Sequence, residues 1–203
     1  MTYTIVGTPQ SRAFRVIWMM EELALPYQID PVQPASAEAK AINPSGKIPA
    51  LVDGDTVLID SMAICQFLAD RHDSCSFPPG TVERAAQDAM VLTVIDEIEG
   101  PLWTHAKHSF ALPEELRVAA AKTHLEAEFQ RGLSALDRRL GDGPFAMGER
   151  FTVPDILLGH CGLWAKGLLK WEIPAGRLKT YFRGLTERPA YRRAQEAAAK
   201  ALA

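Results

Sequence analysis

The chain predicts an α/β region followed by an all-α bundle, and three observations carry that prediction. A strand, loop, helix and second strand open the sequence. An Asp-Gly turn between two apolar runs then marks a hairpin followed by a helix. Beyond a turn-rich stretch at about residues 73–81, strand signals disappear and long helical patterns take over.

Taken in order, residues 3–6 read as a short strand and Gly7-Thr8-Pro9-Gln10-Ser11 as a turn, with helical apolar spacing from Arg12 to Leu25. Tyr27 to Val32 returns as a second strand, parallel to the first because a helix intervenes. Ile48 to Val52 and Thr56 to Ile59 flank Asp53-Gly54-Asp55, so these two strands are expected to be antiparallel. The helical period resumes at Ser61 through Met62, Ile64, Cys65 and Leu68, ending near His72. The run from Asp73 to Gly80, with Pro78-Pro79, reads as a linker. The expected division is therefore residues 1–79 and residues 82–203. In the second part, breaks are expected at Leu112-Pro113, Gly141-Asp142-Gly143-Pro144 and Ile173-Pro174.

Composition narrows the partners. At 47% hydrophobic and 23% charged, the 203 residues supply a sizeable core, and the formal charge of −3 with no Lys/Arg run argues against a nucleic-acid partner. The first 79 residues carry nine acidic and five basic groups, the remainder sixteen and seventeen, a modest electrostatic contrast. No apolar stretch approaches the roughly 20 residues that span a bilayer, and the start lacks a basic region followed by an apolar one. A soluble, cytoplasmic protein without membrane association is expected. Cys65, Cys75 and Cys161 show no C-x-x-C or Cys/His spacing, so neither a disulfide framework nor a metal site is indicated.

The order of short motifs is more informative than any one of them. Asn43-Pro44-Ser45-Gly46-Lys47-Ile48-Pro49-Ala50-Leu51 and Asp60-Ser61-Met62-Ala63-Ile64 occur at characteristic spacing. They stand with Ser11-Arg12-Ala13-Phe14-Arg15-Val16, Glu21-Glu22, Phe151-Thr152-Val153-Pro154-Asp155-Ile156 and Arg188-Pro189-Ala190-Tyr191. Together they resemble the cytosolic glutathione transferases over nearly the whole chain, and Thr8-Pro9-Gln10 is similar to the Thr-Pro-Asn loop of certain bacterial members. The resemblance implies a thioredoxin-like domain of order βαβ-α-ββα followed by a helical bundle, with glutathione as co-substrate and a homodimer in which residues 96–99 lie at the interface.

By the same resemblance, Pro49 is the cis-proline of the thioredoxin-like fold, and the backbone of Ile48 pairs with the cysteinyl residue of glutathione like an added strand. Ser61, at the start of a helix, would receive the γ-glutamyl carboxylate on its hydroxyl and on free N–H groups of the first turn, while Asp60 would face the α-ammonium group. Acid followed by Ser at a helix start is equally a capping arrangement. Lys47 would meet the glycyl carboxylate or stand solvated beside its turn.

Conjugation requires a thiolate, and a free thiol near pKa 8.5 is mostly protonated at neutral pH. A hydroxyl donor in the first loop, aided by the positive end of the first helix, answers that need; lowering the pKa by about two units takes about 2.7 kcal/mol. The catalytic candidates are Thr8, Ser11 and Gln10. Anchoring on Ser11-Arg12 as in theta-like members selects Thr8, anchoring on Glu21-Glu22 as in phi-like members selects Gln10, and Ser11 is the adjacent hydroxyl. Thr8 and Ser11 also suit a turn and an N-cap. No cysteine occupies the loop, which disfavours chemistry through a protein thiol.

The resemblance places an apolar electrophile pocket near Trp103, Lys107 and His108, with Trp164 from a later helix; aromatic residues at helical spacing also serve as core. His105 and His108 share a helical face but lack a third metal ligand. Thr152-x-x-Asp155 fits a capping box with Phe151 as staple. The implied activity is transfer of the glutathione sulfur to an electrophile, as in detoxification. Non-catalytic binding of glutathione or apolar ligands, and glutathione-dependent peroxide or disulfide reduction, are the alternatives on the same fold.

Overall fold

The computed structural model of the chain describes residues 2–203. Strands β1 (Tyr3–Val6), β2 (Tyr27–Asp30), β3 (Ala50–Asp53) and β4 (Thr56–Ile59) alternate with helices α1 (Ala13–Glu22), α2 (Ala37–Ile42) and α3 (Ser61–Arg71). Helices α4 (Val82–Thr93), α5 (Gly100–Ala106), α6 (Leu125–Arg139), α7 (Val153–Trp164), α8 (Arg177–Glu187) and α9 (Pro189–Ala201) follow. The expected order βαβ-α-ββα and helical remainder are both present. The strand expected from Ile48 begins at Ala50 instead, and β2 stops at Asp30.

The sheet has the order β2-β1-β3-β4. β1 runs parallel to β2, while β3 is antiparallel to both β1 and β4. A helix between β1 and β2 permits the parallel pair, and the two-residue Gly54-Asp55 turn, with Gly54 at φ +60°, permits the antiparallel one.

The described residues up to and including Pro79, with Leu185–Ala203, form one compact unit, and Gly80–Gly184 form another. The contacts thus assign the last helix to the sheet-containing unit, whereas strand and helix patterns alone had grouped it with the bundle. The reason is chemical. α1 is apolar from Ala13 to Met20 except for Arg15, and all eight of these residues are buried, which demands cover on more than one face. α9 supplies it: Tyr191 sets its ring edge-on to Trp18 at 4.9 Å and to Phe14 at 5.6 Å. At the end of α1, Arg188 grips Glu22 with two bonds of 2.7 and 2.6 Å, and Trp18 Nε1 donates to the same carboxylate at 2.9 Å. Glu21 accepts from Arg193 Nε at 2.8 Å and from Tyr27 Oη at 2.7 Å. Burial, then this carboxylate, push the Tyr27 phenol well above its ordinary value. Glu21-Glu22 and Arg188-Pro189-Ala190-Tyr191 are therefore one contact written in two distant places.

In the second unit, α4 runs through a wider turn at Val94–Glu99 into α5. α6 crosses closely there because residue 132 is glycine: a Cβ would lie 2.4 Å from the Glu97 carbonyl oxygen. α7 is buried from Val153 to Gly162 and is held at its start by Asp155. Asp155 completes the expected capping box with Thr152, accepting from its N–H at 2.8 Å and its hydroxyl at 3.1 Å. It also accepts from the Ala146 N–H at 2.7 Å and the Tyr181 hydroxyl at 2.8 Å, joining the preceding loop and α8 to α7. Burial pushes its carboxyl up to about 6, against the lowering effect of these four bonds.

Asp155→Ala would leave four donors without their acceptor, so urea denaturation should show a loss of at least about 3 kcal/mol. Wild-type stability in that variant would contradict the role given to this carboxylate.

Candidate functional site

The register of the sheet brings three chain turns together. Val6 pairs with Ala50, and Ala50 with Ile59, so the exit of β1, the entry to β3 and the exit of β4 share one end of the sheet. Gly7-Thr8, Ile48-Pro49 and Asp60-Ser61 are consequently neighbours there. The Ile48–Pro49 peptide is cis. Gly7, at φ +143°, lies so close that a Cβ would stand 3.0 Å from Ile48 Cβ and 3.4 Å from Pro49 Cα. Ile48 itself precedes the paired stretch of β3, so its backbone lies outside the ladder. Asn43 shapes the approach: its side-chain amide donates to the Lys47 carbonyl at 2.9 Å and its oxygen accepts from the Ser45 hydroxyl at 2.9 Å. Lys47 is exposed beside this turn.

The three loop candidates separate clearly. Ser11 Oγ donates to the Thr8 carbonyl at 2.7 Å and accepts from the Ala13 N–H at 3.1 Å, so its proton is committed to the turn ahead of α1. Gln10 is exposed. Thr8 is 6% exposed, its N–H donates to the Val32 carbonyl at 2.8 Å, and its buried Oγ1 has no hydrogen-bond partner among the described residues. Of the three, Thr8 holds a hydroxyl proton that the local fold does not use.

At the start of α3, Asp60 adopts φ +70° and caps the helix, its Oδ1 accepting from Met62 N–H at 2.9 Å and Ala63 N–H at 3.4 Å. The expectation that these first-turn N–H groups are free is thereby corrected: the preceding acid takes them. Ser61, buried, keeps its own N–H and hydroxyl outside that cap. Its Oγ accepts a bond of 3.3 Å from Arg15, whose side chain is also buried. Arg15 did not stand among the sequence candidates. Its signal was present as the one charge inside the otherwise apolar run from Ala13 to Met20. Cys65 is a buried thiol pushed up to about 12 by its burial, which removes it from thiolate chemistry.

Within the second unit, Trp103 and Trp164 meet with ring centroids 6.5 Å apart. Trp164 also faces the His160 ring at 6.1 Å. Lys107 and His108 lie in the wider turn at Lys107–Ala111 that continues α5. His108 Nδ1 accepts from the Val118 N–H at 3.1 Å, anchoring the following segment, and its neighbour His105 packs edge-on against buried Trp171 at 5.5 Å. Burial, then Lys122, hold the His105 imidazole below its usual range.

Models of two families match this chain: the glutathione S-transferase N-terminal domain over residues 11–71 and the glutathione S-transferase C-terminal domain over residues 119–196. The glutathione S-transferase-like protein gedE of Aspergillus terreus is 31% identical over 78% of this chain and 76% of its own length. Glutathione S-transferase 3 of Zea mays is 30% identical over 74% of this chain and 72% of its own. Among solved structures, a theta class glutathione S-transferase from Xanthomonas axonopodis pv. citri with glutathione bound is 26% identical, with a TM-score of 0.73 over 95% of this chain and 96% of that one. Two matched domain models and relatives at this level of identity lead to one conclusion: the chain belongs to the glutathione S-transferase family.

Proposed function

We propose that this protein is a glutathione transferase that ionises the glutathione thiol beside Thr8 and delivers the sulfur to an apolar electrophile. The observation that carries the reading is the buried Thr8 hydroxyl, without a hydrogen-bond partner among the described residues, at the sheet end where Ile48-Pro49 and Asp60-Ser61 converge. Leaving a buried hydroxyl unsatisfied costs about 1–3 kcal/mol, and a thiolate acceptor at that point removes the penalty while gaining a charge-assisted bond. The start of α1 adds positive potential on the same side. Glutathione as the ligand is supported by its presence in the Xanthomonas relative.

In this reading the Ile48 backbone pairs with the cysteinyl residue, Ser61 receives the γ-glutamyl carboxylate, the Asp60 carboxylate faces the α-ammonium group, and Lys47 meets the glycyl carboxylate. Residues 1–79, with α9 packed on them, make up the glutathione-binding part, and Gly80–Gly184 form the helical part, where Trp103, Lys107, His108 and Trp164 border the electrophile. Catalysis comes from proximity and thiolate stabilisation, with no covalent bond to the protein. The enzyme acts as a homodimer in the cytoplasm.

Thr8→Val removes the donor, so the pKa of bound glutathione should rise by about one unit or more and kcat/KM at neutral pH should fall about tenfold. The measurement is ultraviolet thiolate absorbance across a pH titration; Thr8→Ser, which keeps the hydroxyl, should titrate like wild type. An unchanged titration in Thr8→Val would remove Thr8 from the mechanism.

Gly7→Ala tests the geometry rather than the donor. Its Cβ would press on Ile48 and Pro49 at a backbone angle that L-residues rarely adopt, so stability should fall by about 1–3 kcal/mol and glutathione affinity with it. Retention of both would show that this close approach is dispensable.

A further inference from the structure

We propose that Arg15 is a positioning residue for the γ-glutamyl carboxylate of glutathione, acting through Ser61; the proposal rests on the glutathione-binding reading above. Contacts from both its side chain and its main chain join Arg15 to α3. Its guanidinium donates to Ser61 Oγ at 3.3 Å, and its main-chain carbonyl accepts from Cys65 Sγ at 3.6 Å, one turn further along. Arg15 is 2% exposed and Ser61 3%, so the bond between them is shielded from water.

The direction of that bond matters. A serine hydroxyl has one proton and two lone pairs, and a guanidinium can only donate. With one lone pair of Ser61 Oγ occupied by Arg15, the hydroxyl proton points away from α1 and is offered to an acceptor. Serine near a helix start otherwise tends to turn its hydroxyl to nearby backbone groups, and the guanidinium opposes that alternative. Polarisation by a cation also makes the O–H a stronger donor.

Arg15 lies in the first turn of α1, where a cation runs against the helix dipole. That location is unfavourable for the helix, yet it sets the guanidinium against Ser61 at the end of the sheet where both α1 and α3 begin. An α-carboxylate is an acceptor that such a polarised hydroxyl recognises. The glycyl and cysteinyl parts of glutathione gain nothing from it.

The test compares binding of glutathione with binding of a glutathione derivative whose γ-glutamyl α-carboxylate is converted to the amide, by isothermal titration calorimetry. Arg15→Met should weaken glutathione by about tenfold and the amide by much less, and its effect should be non-additive with Ser61→Ala. A merely structural role would weaken both ligands alike. If Arg15→Met fails to fold, Arg15→Lys carries the test: a smaller loss confined to glutathione supports the proposal. Equal losses for the two ligands, or no loss, overturn it while the functional reading stands. Failure of wild type to bind glutathione overturns that reading, and the role of Arg15 falls with it.

Discussion

The antiparallel register that sets Val6 against Ala50 and Ala50 against Ile59 decides where everything else in the first unit meets. Side chains alternate along a strand, so a shift of one residue would turn Leu51 out of the core and carry Ile48-Pro49 away from Gly7. Apolar burial holds the register: Ile5 and Leu51 pair across β1 and β3 and are both inaccessible to solvent. With that row fixed, three loops converge without needing contacts of their own to find one another. Gly7 then permits a close approach, since a side chain there would crowd Ile48 at a backbone angle that L-residues rarely adopt.

Polar groups at this convergence divide into those the fold uses and those it leaves available. Ser11 takes the N–H of Ala13 at the first residue of α1, and Asp60 caps α3. Ser61, next to Asp60, and Thr8, three residues before Ser11, are relieved of that work. The division follows from hydrogen-bond accounting, because a helix start offers few donors and the nearest side-chain oxygen takes them first. Two hydroxyl protons that the fold does not use thus coexist with engaged helix starts, and the same economy governs the second unit in reverse. There Asp155 is fully engaged by four donors, so a residue at the head of a buried helix serves architecture.

Much of this was legible from residue order. Strand and helix types, the hairpin at Asp53-Gly54-Asp55, the capping box at Thr152-x-x-Asp155 and the family resemblance all rest on local chemistry: turn residues, apolar period and capping side chains act within a few positions of one another. The candidates Thr8, Ile48, Pro49, Asp60 and Ser61 could be named because motif order marked them. Local patterns could not say which hydroxyl of Thr8 and Ser11 had a free proton, since that depends on a 2.7 Å bond within the folded turn.

Three features were decided only by the tertiary structure. α9 joins the sheet-containing unit because Arg188 and Tyr191 meet Glu22, Trp18 and Phe14, partners more than 160 positions away in the chain for the Arg188–Glu22 bond. Asp155 reaches Ala146 and Tyr181 beyond its own capping box. Arg15 meets Ser61 across 46 positions. Sequence patterns report what a residue does to its neighbours along the chain, so they determined the elements and their caps. Which buried polar groups pair, and which are left to receive a ligand, is set by contacts between elements, and those exist only once the apolar faces have packed.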